Sequence, residues 1–589
     1  MSKLSPQQAD AALQEALALH RQGQLAAAEK NYARILKSFP GQFDALHLLG
    51  LLKLQSGKAG EAQRLITAAL GIDPASTDAL TNLGLTLAAL KRPAEALAHF
   101  DKALALDPDH FEALANRGNI LLDLDRAEEA LMCFVRVLAR EPRHVPARVN
   151  RGNALLALGR AEAAIKEYDE ALAVAPNDAK ALMNRASALF RVGRYDESIA
   201  GYDRLLVFVP RHAEALSARG QALQAAGRHQ EALKSYASAI GAAKDFAHAH
   251  FNQALALLTV GDNRGGFAQY EWRWKRAGIA RRSLGKPLWL GEYPLGRKTI
   301  LLHAEQGLGD TIMFVRYAPL LARAGATVIV EVQGELKPLL ANLEGVGVIA
   351  RGEALPAFDV HCPLGSLPLA FKTEPASVPA AIPYLRSDAQ RLAKWRQRLA
   401  ALPGRRVALA FAGNRDHIND RNRSIALSRL APLLSTPDVR FISVQRDLRD
   451  ADREALGNAA LTHLGDELAD FADTAAVLAL ADLVITVDTS VAHLAGALGR
   501  PLWILLPFWP DWRWALDRAS PWYPDARMFR QGPDGDWDPV IVASLVGDVH
   551  VFFNLLMAIC LLSLLPTVFL VALLQRYVVE GLSAGAVKG

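Results

Sequence analysis

Three short clusters hold residue types that move protons or bind anions, and each follows a run that reads as a buried strand. The first is Gln306-Gly307-Leu308-Gly309-Asp310-Thr311. Glycines directly after a strand let backbone N–H groups approach a ligand. Asp310 falls at the start of the next helix, where a helix cap is its plain structural reading. The second cluster is Gly413-Asn414 followed by Asn419-Asp420-Arg421-Asn422-Arg423-Ser424. Arg421 and Arg423 among polar loop residues suit a diphosphate, and equally suit a solvated charged loop. The third is Asp488-Thr489-Ser490-Val491-Ala492-His493, after a buried strand ending at Val487. Its helix opens with Thr and Ser hydroxyls and unpaired N–H groups, so donors and helix dipole act together on an anion. His493 lies one turn in, either touching phosphate or base or packing structurally.

These clusters need a rigid support, and the hydropathy period from about residue 298 provides one. Strands are expected at Thr299–His303, Thr327–Val332, Val346–Ala350 and 358–362, with helices at 313–324 and about 336–343. A connector near 382–386 and a helix at 389–401 lead to a second unit. Its strands are expected at 406–411, 439–444, Leu483–Val487 and 501–506, with helices at 473–480 and 490–498 between them. Alternating strands and helices imply parallel sheets covered on both faces. Two such α/β units form a two-lobed fold with the ligand cleft at the carboxyl ends of the strands.

The strand–Asp-Thr-x-x-x-His-Leu-Ala–helix stretch, with Asp488, Thr489 and His493, resembles the strongest motif of glycosyltransferase family 9, the lipopolysaccharide heptosyltransferase group. The resemblance implies a GT-B fold of two Rossmann-like lobes, 298–385 and 386–545. It implies that the third cluster binds the diphosphate of a nucleotide-sugar donor. Gly309-Asp310 matches the family's opening motif, where an Asp acts as general base toward the acceptor hydroxyl. Arg423 falls where the family carries a cationic phosphate-binding residue, usually Lys. The family's acidic residue after the next strand would fall near Gln445, a departure that leaves the donor's identity open. The implied reaction is inverting, metal-independent hexosyl or heptosyl transfer, with no cofactor besides the donor substrate. Asp310 is its catalytic residue, and Gln306, Gly309, Asn414, Arg421, Arg423, Asp488, Thr489, Ser490 and His493 hold the donor. A non-catalytic scaffold with a degenerate transferase domain is the rival reading, which the Gln445 departure favours. A third is a protein O-glycosyltransferase, by analogy of architecture with O-linked N-acetylglucosamine transferase.

The preceding half is periodic. Pro40, Pro74, Pro108, Pro142, Pro176 and Pro210 recur every 34 residues. Gly50, Gly84, Gly118, Gly152 and Gly220 keep the same step, with Ala186 in the remaining place. Ala28, Ala62, Ala96, Ala130, Ala164 and Ala232 do likewise around Ser198, and so do Tyr32, Ile66, Phe100, Phe134, Tyr168, Tyr202, Tyr236 and Tyr270. Small residues let two antiparallel helices approach, the aromatic fills the groove between them, and Pro closes the second helix. The pattern resembles the tetratricopeptide repeat, about eight copies over 9–280, and implies an α-solenoid whose concave face binds a protein or extended peptide. Trp272 and Trp274 are expected to cap the array by packing on the adjoining region of the chain. The whole arrangement resembles bacterial tetratricopeptide proteins with a family 9-like C-terminal region. Further stretches carry that likeness, notably Glu305-Gln306-Gly307 and Pro510-Asp511-Trp512-Arg513-Trp514, a loop that either lines the cleft or covers the sheet edge with its tryptophans.

Composition fits these assignments. The 589 residues are 51% hydrophobic and 22% charged, so the chain as a whole is not disordered. With 66 basic and 61 acidic residues interspersed, no basic stripe for nucleic acid stands out. Cys133, Cys362 and Cys560 have neither disulfide nor zinc spacing, and the N-terminus lacks a signal peptide's apolar core, which points to a cytoplasmic protein. Residues 551–574 are uncharged and as a helix would reach roughly 36 Å, enough to cross a bilayer. The run is expected to act either as a C-terminal membrane anchor or as an aggregation liability. The last 45 or so residues resemble the C-terminus of sugar ABC transporter permeases of the maltose-type group, which implies a fused or frame-shifted reading frame joined near 541–548.

Overall fold

The computed structural model describes residues 4–279, 281–379, 381–417, 419–516 and 519–546. They divide into two compact units, one up to Leu223 and one from Gln224. The division falls inside the seventh repeat, not after the eighth, so the last repeat shares its unit with the α/β region.

In the first unit, helices alternate with tight turns, beginning with Pro6–Arg21 and Leu25–Ser38 and continuing through Tyr195–Phe208. The glycine series is explained by how closely paired helices approach. A β-carbon would lie 2.6 Å from the Phe100 ring at Gly84, 2.7 Å from Phe134 at Gly118 and 2.5 Å from Tyr168 at Gly152. The exception is compensated locally. Where Ala186 replaces glycine, the facing helix supplies Gly201, whose added β-carbon would be 3.0 Å from that of Ala186. Ser198, in the alanine series, donates from its hydroxyl to the Ala186 carbonyl at 2.7 Å. First helices are capped in register, with Ser76, His110, His144 and Asp178 each accepting from the backbone N–H three residues on.

The second unit opens with helices His229–Ala242, Ala247–Thr259 and Asn263–Tyr270, then the turn Glu271–Lys275. Trp272 does not face forward: it stacks on His250 of the last repeat, ring centres 3.7 Å apart. Phe267 makes the forward contact, edge-on to Trp512 and Trp522 at 5.7 and 6.5 Å. One continuous core therefore runs from Ala254 and Leu258 into both sheets.

The first sheet has four parallel strands, β1 (Thr299–His303), β2 (Thr327–Val332), β3 (Val346–Ala350) and β4 (Val360–Pro363), in the order β3-β2-β1-β4. The second has six parallel strands: β5 (Arg405–Ala410), β6 (Val439–Ser443), β7 (Leu461–His463), β8 (Leu483–Val487), β9 (Leu502–Leu506) and β10 (Arg527–Arg530). Their order is β10-β9-β8-β5-β6-β7. The edge strands β7 and β10 were not expected from the sequence. The helix expected at 313–324 instead begins at Leu308, passes through a 3-10 turn at Val315–Tyr317 and resumes as Ala318–Arg323. Pro319 has no N–H to give the preceding turn, so the helix restarts there. In each sheet the strand order reverses beside the first strand, between β1 and β4 and between β5 and β8, with all strands still parallel. Crevices open at such switch points beyond the carboxyl ends.

No helix among the described residues is long and apolar enough to cross a membrane. The uncharged run 551–574, the permease-like tail and Cys560 lie outside the described residues.

The packing argument makes a signed prediction. A helical Gly→Ala change normally stabilises by about 0.5–1 kcal/mol, and Gly60→Ala, with nothing within 4 Å, should be neutral or slightly stabilising. Gly152→Ala should instead destabilise by about 1–3 kcal/mol, because the Tyr168 ring must move. Urea-denaturation midpoints read both, and a higher midpoint for Gly152→Ala would contradict the packing account.

Candidate functional site

Facing segments after β1, β5 and β8 enclose a cleft of about 800 Å³. The first lobe contributes Gly307–Asp310 and Glu335, the second Ala412–Asn414, Arg423, Gln445, Asp488–Val491, His493, Asp511 and Arg513. Of the ten residues expected from the sequence, Gly309, Asp310, Asn414, Arg423, Asp488, Thr489, Ser490 and His493 meet here. Two do not. The Gln306 side chain pairs with the Tyr270 hydroxyl at 2.9 Å, turned toward the last repeat. Arg421 is exposed on the outer side of the short helix Asp420–Arg423.

Each lobe presents a helix N-terminus. In the first, Asp310 is the third residue of helix Leu308–Phe314, and its Oδ2 accepts from the Gly307 N–H at 3.1 Å. The capping role open to Asp310 is thus filled by one oxygen. The other oxygen accepts from Nη2 of Arg513, an ion pair across the cleft. In the second, Thr489 caps helix Ser490–Ala497, accepting from Val491 N–H at 3.3 Å. The Thr486 hydroxyl donates to the Val487 carbonyl, so the Thr489 hydroxyl, 3.2 Å away, donates to Thr486. Both functions of Thr489 are spent inside the protein, which leaves the Ser490 hydroxyl and the helix N–H groups as the anion-facing donors.

The two helices touch at Gly309, where a β-carbon would be 2.7 Å from the His493 ring and 3.4 Å from Ser490 Cα. His493 is fixed from behind by the Tyr523 hydroxyl, 3.1 Å from Nδ1, and stacks on Trp514 at 5.1 Å. Burial, reinforced by Arg513 and Arg316, holds the imidazole well below its ordinary pKa, so it stays neutral and adds no charge to an anion site.

The second cluster is organised by Asp420. Its carboxylate is ion-paired with Arg449 and accepts from the Ser424 hydroxyl at 2.6 Å, while Ser424 accepts from Gly413 N–H at 3.0 Å. That anchoring lays the Arg423 guanidinium over Gly413, where a β-carbon would meet it at 2.6 Å, and its Nη1 donates to the Asp488 carbonyl at 3.1 Å. Gln445, in place of an acid, spends its Oε1 accepting from the N–H groups of Phe411 and Ala412 at 3.2 and 3.1 Å.

Six carboxylates and three guanidiniums line the cleft, so its walls are acidic overall. An anion must therefore be held locally, by a helix terminus and individual arginines. Asp488 carries the cost: burial first, then the neighbouring Asp511, push its carboxyl up to about 6.

Sequence reasoning missed the polar network behind the cleft. Arg273, in the turn after the last repeat, donates to Glu271 at 2.6 Å, Glu305 at 3.1 Å and Ser366 at 2.6 Å. Burial raises Glu305 to about 7 despite that partner. Arg316 donates to the Trp522 carbonyl and the Tyr384 hydroxyl, both at 3.0 Å, joining the lobes and the connector. No local sequence pattern marks these residues, because, Glu271 aside, the partners named lie 32 to 206 positions away.

The family described as Tetratricopeptide repeat matches residues 47–111, 115–179, 149–215 and 217–271. The family described as Glycosyltransferase family 9 (heptosyltransferase) matches residues 464–505, which hold Asp488, Thr489, Ser490 and His493. The chain carries tetratricopeptide repeats, and its segment 464–505 is similar to glycosyltransferase family 9. It is similar to protein FlbA of Caulobacter vibrioides, 27% identical over 328 residues. That match covers 51% of this chain and 55% of FlbA, so the chain spans about half that relative's length. Among solved structures, a tetratricopeptide repeat protein from Parabacteroides merdae is 20% identical, covering 42% of this chain and 98% of its own, with a TM-score of 0.35. PilF of Pseudomonas aeruginosa is 23% identical, covering 36% and 96%, with a TM-score of 0.33.

The Asp488 environment would make any anion affinity of the cleft pH-dependent. The raised carboxyl is ionised at pH 8 and protonates below about 6, removing one repulsive charge near the N-terminus of helix Ser490–Ala497. Relative to Asp488→Asn, wild-type affinity for nucleoside diphosphates should be several-fold weaker at pH 8 and nearly equal at pH 5, with the ligand's own titration cancelling in the ratio. Calorimetric titrations across that range check it, and a ratio independent of pH would contradict the assignment.

Proposed function

We propose that the chain transfers a sugar from a nucleotide-sugar donor to an acceptor recruited by its repeats. The observation that carries this reading is the meeting, in one cleft, of the Ser490 helix terminus, the Arg423 guanidinium and the Asp310 carboxylate. The donor's diphosphate lies against the Ser490 hydroxyl, the helix N–H groups and Arg423, and the sugar faces Asp310. The acceptor hydroxyl gives its proton to Asp310 while its oxygen bonds the anomeric carbon. The bond from that carbon to the diphosphate breaks, the electron pair leaves with the nucleoside diphosphate, and configuration inverts. Arg423 and the helix dipole stabilise the leaving charge, a task that needs no metal in this scheme. No cofactor other than the donor takes part.

The repeats supply the acceptor or its carrier. Asn82, Asn116, Asn150 and Asn184 recur on successive first helices, half-buried, with Asn150 donating to Asn119 at 2.7 Å and Asn184 to Asn153 at 2.9 Å. A row of amides suits the backbone groups of an extended peptide, which supports a protein or peptide partner and keeps protein O-glycosylation among the acceptor classes. One observation favours a non-catalytic scaffold instead: Asp310 is already ion-paired with Arg513.

A thermal-shift screen against nucleotide sugars separates these readings. At least one donor should raise the melting temperature, since ligand selective for the native state stabilises it by mass action. With that donor, Asp310→Ala should reduce transfer or donor hydrolysis by about 10²–10⁴-fold. Turnover unaffected by Asp310→Ala would remove it as the base, and no shift with any donor would favour the scaffold.

A further inference from the structure

Arg513 holds the Asp310 carboxylate through Nη2 and the Asp511 carboxylate through Nη1, the latter at 2.7 Å. Only 8% of it is exposed, and it lies over the Trp512 ring at 4.5 Å. Asp511 and Arg513 stand on the same turn, whereas Asp310 comes from the other lobe. Arg513 Nε and Arg423 Nε are buried and have no hydrogen-bond partner among the described residues. Two guanidiniums thus border one cleft, each with an unspent N–H.

The pairing with Asp310 is at odds with its use as a base. A carboxylate whose outward oxygen accepts from a buried guanidinium is blocked at the position from which it would reach an acceptor hydroxyl. An incoming diphosphate changes the competition, since it offers Arg513 a denser anion than one carboxylate. Asp511 keeps Arg513 tethered during the exchange. The turn itself does not need to move: Trp514 is fully buried, and Ser520 donates to the Arg513 carbonyl at 2.6 Å.

Resting on the reading of the cleft as a nucleotide-sugar site, we propose that Arg513 is a positioning residue that changes partners. With the cleft empty it binds Asp310 and blocks the base; when a diphosphate enters, Arg513 turns to the phosphates and frees Asp310. Proton acceptance is thereby confined to the donor-loaded state. Donor must precede productive acceptor binding, and the same contact that silences the empty site becomes part of the phosphate clamp.

The test is a double-mutant cycle on affinity for inorganic pyrophosphate, ADP, UDP, GDP and CDP, measured by calorimetry on the full chain at pH 8. Asp310→Asn keeps an acceptor for the Gly307 N–H and removes the ionic hold on Arg513, so the best-bound probe should bind roughly tenfold more tightly. Arg513→Met should weaken it by at least as much. In Arg513→Met the Asp310→Asn change should bring no further gain, because the guanidinium for which the carboxylate and the phosphate compete is already gone. A tenfold gain that persists without Arg513 would mean that Asp310 merely repels the anion, and would overturn the exchange. An unchanged affinity in Asp310→Asn, with binding still dependent on Arg423, would overturn it while leaving the site's function intact. Binding of no probe to any variant would overturn both the exchange and the transferase reading.

Discussion

The approach of two helix N-termini at Gly309 is the constraint on which the rest of the site depends. Helices Leu308–Phe314 and Ser490–Ala497 come from different lobes, yet their first turns are in van der Waals contact because residue 309 has no side chain. Two positive helix ends pointing at one volume would repel each other and leave N–H groups unpaired. Asp310 resolves the first end by capping it from within. The second end has its cap on the far side, in Thr489, and still offers donors to the cleft. The asymmetry is plain: one lobe presents a carboxylate, the other leaves helix N–H donors open to the cleft.

Holding such charges away from water is expensive, and the fold meets that cost with pairs rather than isolated ions. Arg513 lies between Asp310 and Asp511, Arg423 over the end of β8, and Asp420 between Arg449 and Ser424. Arg316 satisfies main-chain carbonyls of both lobes and packs on three aromatic rings, Tyr384, Trp522 and Tyr523. On the opposite side, Tyr270 and Arg273 grip Gln306 and Glu305. The loop that presents Asp310 is therefore held by the end of the repeat array as well as by its own sheet. This explains why the last repeat shares a unit with the α/β region: its aromatic ridge, Phe267 and Tyr270, has become part of that region's core.

Much of this was legible in the chain because the relevant signals are local. The 34-residue glycine and aromatic series encodes the helix contacts seen at Gly84, Gly118 and Gly152, and the strands that carry the site fall within a residue or two of their expected limits. Helix-terminus clusters are equally local, so eight of the ten expected site residues converge. What stayed hidden is tertiary. Gln306 looked like a loop donor but is claimed by Tyr270, 36 residues earlier. Arg421 and Arg423 are two apart on one short helix, and only the anchoring of Asp420 decides which one enters the cleft. Edge strands β7 and β10 are three and four residues long, too short to show a period. Arg513 sat in a stretch noted for its tryptophans, and its pairing with Asp310, 203 residues away, could not be read from spacing.

The central claim is that a donor diphosphate occupies the N-terminus of helix Ser490–Ala497. A crystal structure of the chain with the nucleoside diphosphate that most raises its melting temperature tests this directly. The account predicts phosphate oxygens within hydrogen-bond distance of the Ser490 hydroxyl, the first helix N–H groups and the Arg423 guanidinium. A ligand whose phosphates lie elsewhere, with that helix end still open to water, would contradict it.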